Sequence, residues 1–331
     1  MSNTLHRIVW PEANRVELDT AALPAPGPGE MLVRTITTLI SPGTERAFFN
    51  GSAGNCIYPH YPGYSNVGEV LQVGPFKNGA LKFLPGMRVA SQTGHSSHVI
   101  AETAQSVEVP EALTDEEAAF CAVTCIALQG VRKAHLEMGE SVVIIGCGLI
   151  GLLAMQLAKA SGALPVVSSD CDSQRLAFAR NLGADATFAT ADDLSTEIKK
   201  CLGADGADVV IEASGHPLAI NTAVKLARRG GRVVLLGSTR GETTLDFYTD
   251  VHCRGLKIIG AHNGARPVQD ASPGLRSLPQ DQALAVKLLT AKRLQVRPLA
   301  THEFHWSEAA KAYALLTEGR SDVQAMLLRW D

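Results

Sequence analysis

Gly146, Gly148 and Gly151 stand in the order G-x-G-x-x-G, a spacing that brings backbone N–H groups up to an anion. One glycine lets the chain turn sharply, one leaves the backbone open to a pyrophosphate, and one lets the following helix pack on its strand. Leu149 and Ile150 fill the intervening positions, so the free N–H groups and dipole of a helix start would face the phosphates. Asp170 closes the next apolar run, after Ser168 and Ser169, where a carboxylate would meet the adenosine ribose. Such a carboxylate accepts both ribose hydroxyls and repels the extra phosphate of NADP, so NAD is the expected cofactor. Two plainer roles stand beside these. The glycines would merely serve helix packing, and Asp170 or Asp172 would cap the helix starting near Ser173, with Asp172 the better fit. Arg175 either stacks on the adenine or is a solvated helix residue.

The elements that must carry these residues are legible as alternation. Strand patterns fall at 141–145, 165–169, 186–188, 208–212, 232–236 and 256–260, and helical patterns at 149–160, 173–182, 193–201 and 217–228. This predicts an α/β domain with a Rossmann doubly wound parallel sheet. Its strands, such as DVVIEA and RVVLLG, are near-continuous apolar runs, as helices on both faces require. Ala213, Ser214, Gly215, Gly237, Ser238, His262 and Asn263 follow strand ends at the carboxyl edge of that sheet, where a dinucleotide must lie.

Residues 1–120 instead alternate short β-branched strands with Pro/Gly turns, the pattern of a mostly β, partly closed barrel. From Thr114 a helix is expected, with Thr114 as N-cap and Glu117 as its capping-box partner. Past Gly264 the alternation stops: a loop, a helix over 281–292, a strand, a helix started by Ser307, and a last strand. The expected division is 1–120 with 266–331 as one domain and 121–265 as the dinucleotide domain.

Bulk composition excludes several classes. With 331 residues, 46% of them hydrophobic and 19% charged, and a net charge of −3, the chain reads as an ordinary soluble globular protein. It has no basic block for nucleic acid or a membrane surface, and no apolar stretch long enough to span a bilayer. The N-terminal residues carry no apolar core, so a cytoplasmic location is expected. The 7 cysteines are scattered without a C-x-x-C pair, which argues against a disulfide frame.

SPGTE at 41–45, PGYSNVGEVLQVG at 62–74, GMRVA at 86–90, GCGLIG at 146–151 and LARRGGRVVLLG at 226–237 together resemble the medium-chain dehydrogenase/reductase superfamily, the zinc alcohol dehydrogenase relatives. The resemblance covers nearly the whole chain and implies a GroES-like first domain. SPGTER and GYSNVGEV are most similar to the branch around bacteriochlorophyllide dehydrogenases and sugar- or polyol-type oxidoreductases.

That superfamily holds a catalytic zinc with Cys, His and Cys or Glu, and this sequence departs from the pattern. Pro42 takes the place of the first ligand, Tyr64 that of the histidine, and only Cys121 keeps a ligand type. One thiolate cannot fill a site that needs three protein ligands. No zinc is therefore expected, and charge on the substrate oxygen must be met by hydroxyls or a proton donor.

The resemblance places Thr44 beside the reacting oxygen, although a turn threonine bonding its own backbone has the same appearance. Tyr64 would either point its phenol into the former metal cavity or fill it as packing. Glu45 is expected to pair with a buried arginine, and Cys121 and Cys125 to be small buried residues; His60, the third catalytic candidate after Thr44 and Tyr64, and His95 either border the cleft or are surface or hydrogen-bonded histidines. The expected activity is zinc-independent, NAD-dependent interconversion of an alcohol, polyol- or sugar-like, and a carbonyl compound in a cleft between the domains. An NADPH-dependent quinone or enoyl reductase is one rival, against which Asp170 counts; a cofactor-binding protein without catalysis is another. The superfamily's habit of pairing last Rossmann strands, with the apolar run GLKIIGAH, implies a homodimer or homotetramer.

Overall fold

The computed structural model describes residues 4–75, 82–191, 193–203, 205–267 and 276–330. They form two compact units, 1–123 with 278–292 and 296–331, and 124–277 with 293–295. The division at 277/278 puts the start of the return segment, 266–277, with the second unit; the guanidinium of Arg266 there donates to the carbonyl of Cys125. Part of the loop expected after Gly264, 268–275, lies outside the described residues.

In the first unit β1 (Thr4–Val9) and β2 (Glu17–Ala22) form an antiparallel pair. The long β3 (Glu30–Ile40) follows, then α1 (Pro42–Phe49), β4 (Asn66–Val73), β5 (Arg88–Ser91), β6 (His98–Glu102), β7 (Val107–Glu108) and α2 (Asp115–Ala118). β3 is the organising strand because its β-branched and apolar residues bury almost every position, and it pairs with β4 and β6. Two register shifts against β4, at Leu32/Val33 and Thr35/Thr37, bend it.

The Thr114 capping box forms as expected, but the helix it starts does not run on. It stops after Ala118, and α3 (Cys121–Lys133) begins anew.

The second unit contains β8 (Val142–Ile145), α4 (Leu149–Ala160), β9 (Val166–Asp170), α5 (Ser173–Asn181), β10 (Ala186–Ala189), α6 (Leu194–Leu202), β11 (Ala207–Glu212), α7 (Pro217–Leu226), β12 (Ala227–Leu235) and β13 (Lys257–Gly260). The sheet is all parallel in the order β10-β9-β8-β11-β12-β13, the Rossmann winding. Val143, Val167, Val210, Ala223, Val224 and Val233 interlock in its core, which is why these strands lack polar alternation. Helix α7 ends at Leu226 rather than 228, because Ala227 already pairs with Ala207 as β12 begins.

The return segment supplies α8 (Leu278–Thr290), β14 (Ala300–His305), α9 (Ala309–Thr317) and β15 (Ala325–Arg329). β15 pairs antiparallel with β3 and parallel with β14, closing a sheet of seven strands. Ser307 does not start α9 as its N-cap. It lies inside a single turn, Trp306–Glu308, and its hydroxyl meets His305 Nδ1 at 2.6 Å. α9 packs Tyr313 and Leu316 against Trp10, Phe49, Met326 and Trp330 in the first unit's core. No described helix is long and apolar enough to cross a membrane.

Candidate functional site

At the carboxyl edge of the Rossmann sheet the three glycines do three different things. Gly146 has φ +95°, and a Cβ there would lie 2.7 Å from the Ser214 nitrogen. A Cβ on Gly151 would lie 1.8 Å from the Gly146 carbonyl oxygen, so α4 packs against the strand end only because this residue is glycine. Gly148, the N-cap of α4, faces open space. The first-turn N–H groups of Leu149, Ile150 and Gly151 have no acceptor within the helix, and open space beside such donors is what a pyrophosphate requires. A dinucleotide therefore fits this edge.

Asp170 is buried at the end of β9, where its Oδ2 accepts from the Cys147 N–H at 2.7 Å and its Oδ1 from the Asp172 N–H at 2.9 Å. It thus ties the strand end to the glycine turn and keeps lone pairs for ribose hydroxyls. Asp172 is the cap of α5, accepting from Gln174 and Arg175 N–H groups at 2.8 and 3.1 Å. The guanidinium Nε of Arg175 is buried beside them without a hydrogen-bond partner.

Glu212 was not singled out by the sequence reading, yet it organises the next loop. Its Oε1 accepts from the Ser214 N–H at 2.7 Å, the Gly215 N–H at 3.0 Å and the Ser214 hydroxyl. Burial raises its carboxyl, against the pull of those Ser214 and Gly215 bonds. Gly237 leaves the room this needs, since a Cβ there would lie 2.4 Å from the Gly215 nitrogen. Ser238 runs alongside Gly215. Its readable signal was an acid ending an apolar strand, DVVIE, directly before a small-residue turn. After β13, His262 Nδ1 accepts from the Gly264 N–H at 3.1 Å, and the Asn263 side chain accepts from Arg266. The structure thus brings Gly146, Gly148, Leu149, Ile150, Gly151, Asp170 and Ala213–Gly215 to one edge of the sheet, with Gly237, Ser238, His262 and Asn263 following adjacent strand ends.

The first unit holds a second cluster. Glu45 is 3% exposed, and its partners correct the expectation of a buried arginine. Oε1 turns back to accept the Ser41 N–H at 2.8 Å, which caps α1 from within. Oε2 accepts from the Tyr313 hydroxyl at 2.6 Å and lies 3.1 Å from His95 Nε2. A carboxylate can only accept, so the His95 proton belongs on Nε2. Nδ1 of His95 is then buried with no partner.

Tyr64 reaches the same cluster. Its ring is partly exposed, but its hydroxyl is buried and makes no hydrogen bond. Burial and then the Glu45 charge push the phenol up to about 12, while the hydroxyls of Ser41 and Thr44 pull the other way. Thr44 stands in α1 directly before Glu45, so the two hydroxyls proposed from sequence and the buried carboxylate form one neighbourhood.

His60 is elsewhere. It stacks on Trp10 at 5.1 Å between ring centres and on Phe48 at 5.9 Å, and it exchanges backbone hydrogen bonds of 2.8 Å with Trp10. Burial lowers its pKa in spite of the nearby Glu45 charge, so it is a neutral packing ring.

Of the three positions where the resemblance puts zinc ligands, one keeps a ligand type. Pro42 offers no ligand atom, Tyr64 offers a neutral phenol, and Cys121 Sγ lies 4.0 Å from the Gln282 carbonyl as a buried thiol. Among the described residues no group of three or more His, Cys, Asp or Glu side chains is placed to hold a metal.

Comparison with known proteins agrees with the second unit most directly. Residues 150–278 match the family model described as zinc-binding dehydrogenase. Sorbitol dehydrogenase 1 of Saccharomyces cerevisiae is 32% identical over 214 residues, which cover 62% of this chain and 56% of that protein. The chain therefore spans little more than half the length of that relative. L-Threonine 3-dehydrogenase of Pyrococcus horikoshii is 28% identical over 96% of this chain and 95% of its own length. A putative zinc-binding dehydrogenase from Sinorhizobium meliloti 1021, solved bound to NADP, superposes with a TM-score of 0.83 at 22% identity, covering 99% and 100% of the two chains.

Proposed function

We propose, from the premise that the chain belongs to the medium-chain dehydrogenase/reductase superfamily, that it is a zinc-independent, NAD(H)-dependent oxidoreductase interconverting an alcohol and a carbonyl compound. The observation that carries the cofactor half is the contrast among the three glycines of the G-x-G-x-x-G turn: Gly146 and Gly151 are packed against backbone, while Gly148 opens onto free space at the start of α4. The polyol and amino-alcohol substrates named for the relatives support a substrate with a secondary hydroxyl.

The bound nicotinamide supplies the hydride or accepts it. The chain's own residues do the rest. The Gly148 turn and the α4 start would hold the pyrophosphate, and Asp170, which fixes the Cys147 N–H, would hold the ribose. When a carbonyl takes up hydride its oxygen becomes an alkoxide, and a neutral phenol can meet that charge by donating its proton or a hydrogen bond. Tyr64 has that proton at neutral pH, as any phenol does, and burial and the Glu45 charge hold it further into the alkaline range. Thr44 offers a second hydroxyl to orient the oxygen.

The preference for NAD over NADP rests on the Asp170 charge, which would oppose a phosphate on the ribose. The S. meliloti neighbour was solved with NADP, so this preference is a property proposed for this chain and tested on it.

The test is turnover of a panel of polyols and secondary alcohols with NAD+ and NADP+, on protein whose zinc content has been measured. Oxidation with NAD+ that survives chelation, in protein holding far less than one zinc per chain, is the expected result. About one zinc per chain, removed by chelator together with activity, would overturn the metal-free reading.

A further inference from the structure

His95 lies between the two pieces of chain that carry the candidate oxygen-facing hydroxyls, and it touches both. Its backbone N–H donates to the Pro62 carbonyl at 2.8 Å. Its ring lies flat against Gly63, where a Cβ would come within 2.8 Å of the imidazole, and Gly63 has φ +99°. The next residue is Tyr64. On its other side the ring pairs through Nε2 with Glu45 Oε2 at 3.1 Å, one residue after Thr44. Both ends are buried: His95 is 2% exposed and Glu45 3%. Tyr313, from α9, holds the same Glu45 oxygen at 2.6 Å and so keeps the carboxylate from turning away.

We propose that His95 is a positioning residue that sets the placement of Tyr64 relative to Thr44, acting through the Gly63 backbone on one side and Glu45 on the other. The proposal rests on the reading of Tyr64 and Thr44 given above. His95 touches no reacting atom in this account. It works because no full hydrogen bond fixes the Tyr64 side chain: its buried hydroxyl stands near those of Ser41 and Thr44 without bonding geometry to a partner, so its position is set chiefly by its backbone. A buried ring against a glycine with left-handed φ leaves that backbone little freedom.

A plain packing histidine would be indifferent to which hydrogen bonds it makes. A positioning histidine would not. Glutamine can place a side-chain N–H near the position of Nε2 and donate to Glu45, whereas alanine removes both the bond and the surface that Gly63 packs on.

The experiment uses the full chain labelled at tyrosine Cζ for NMR, with the Tyr64 resonance identified by its loss in Tyr64→Phe. The variants are His95→Ala and His95→Gln, each checked for melting temperature and for NADH affinity by fluorescence titration. His95→Ala is expected to shift the Tyr64 resonance and to lower kcat about a hundredfold, the scale for a displaced catalytic group, with NADH affinity unchanged. His95→Gln is expected to restore the resonance and most of kcat. If His95→Ala fails to fold, His95→Leu decides, since it keeps bulk against Gly63, deletes the bond to Glu45 and leaves the Glu45 charge in place: a moved Tyr64 resonance there supports the tie. An unmoved Tyr64 resonance in folded His95→Ala, or in His95→Leu where that variant decides, overturns the proposal. A shifted resonance together with full activity in Tyr64→Phe would sink the catalytic reading of Tyr64 and leave the His95 tie standing.

Discussion

The Tyr313 hydroxyl donates to Glu45 Oε2 at 2.6 Å, joining residues 268 positions apart in the chain. The bond fastens α9 to α1 through a carboxylate that is almost wholly buried, and the count of donors explains its strength. Glu45 has three groups on two oxygens. Removing one leaves a buried charged acceptor short of a partner, which costs more than the bond itself is worth. Tyr313→Phe keeps the ring that packs on Trp10 and Phe49 and deletes only this donor. It is expected to destabilise the first unit by about 1–3 kcal/mol. Urea unfolding followed by tryptophan fluorescence measures this, since Trp10 sits against the same ring; an unchanged midpoint would show that Glu45 is satisfied without Tyr313.

Asp170 has two tasks that one substitution can separate. Its Oδ2 holds the Cys147 N–H inside the glycine turn, and in the proposed cofactor site its charge would face the ribose. Asp170→Asn keeps an acceptor for Cys147 and removes the charge, whereas Asp170→Ala removes both. Titration with NADH and NADPH is expected to show preference for NADH in the wild type, reduced discrimination in Asp170→Asn, and weak binding of both in Asp170→Ala. Tighter binding of NADPH by the wild type would contradict the assignment of Asp170.

β13 is the last strand of the Rossmann sheet, and among the described residues one of its edges has no neighbouring strand. Lys257–Gly260 is KIIG, with both isoleucines half-buried. An apolar strand edge left in water invites pairing with another copy. A homodimer joined through β13 is therefore expected. Ile259→Lys should shift the mass measured by light scattering toward the monomer; a wild-type monomer at micromolar concentration would rule this interface out.

What the sequence disclosed and what it hid divide along the range of the contacts. Gly146, Gly148, Gly151 and Asp170 were readable because turn, helix start and strand end are set by neighbours along the chain, and the parallel sheet followed from the spacing of apolar runs. The break at Ala119–Phe120 is not legible in the sequence, because the residues at and beside it, Ala118 to Ala122, are all apolar, helix-compatible and buried. Glu45 was assigned the wrong partner for a different reason. Its real partners lie 50 and 268 residues away, on a loop and on the return segment, and no periodicity encodes such a meeting. In the sequence His60 lies in a loop that could border the cleft, while in the structure its ring stacks on Trp10 and Phe48.

The Tyr64 phenol gives the most direct test of how a site without metal ligands would polarise an oxygen. Burial and the Glu45 charge raise it to about 12, so the protonated form is the one the fold favours. The sign follows: this preference adds stability below the ordinary value near 10, and the contribution is lost as pH rises through about 12. Across neutral and mildly alkaline pH the phenol therefore keeps its proton, and a break in the pH–rate profile in that range must come from another group. Tyr64→Phe removes the donor and retains the ring. If Tyr64 meets charge on the substrate oxygen, kcat should fall about a hundred- to a thousandfold with NADH affinity unchanged. If it only fills space, turnover should stay within about threefold of wild type, a barrier change of at most ~0.7 kcal/mol. In that case a phenol relieved of its unpartnered buried hydroxyl should leave the melting temperature unchanged or higher, and Thr44 would be left as the hydroxyl facing the substrate.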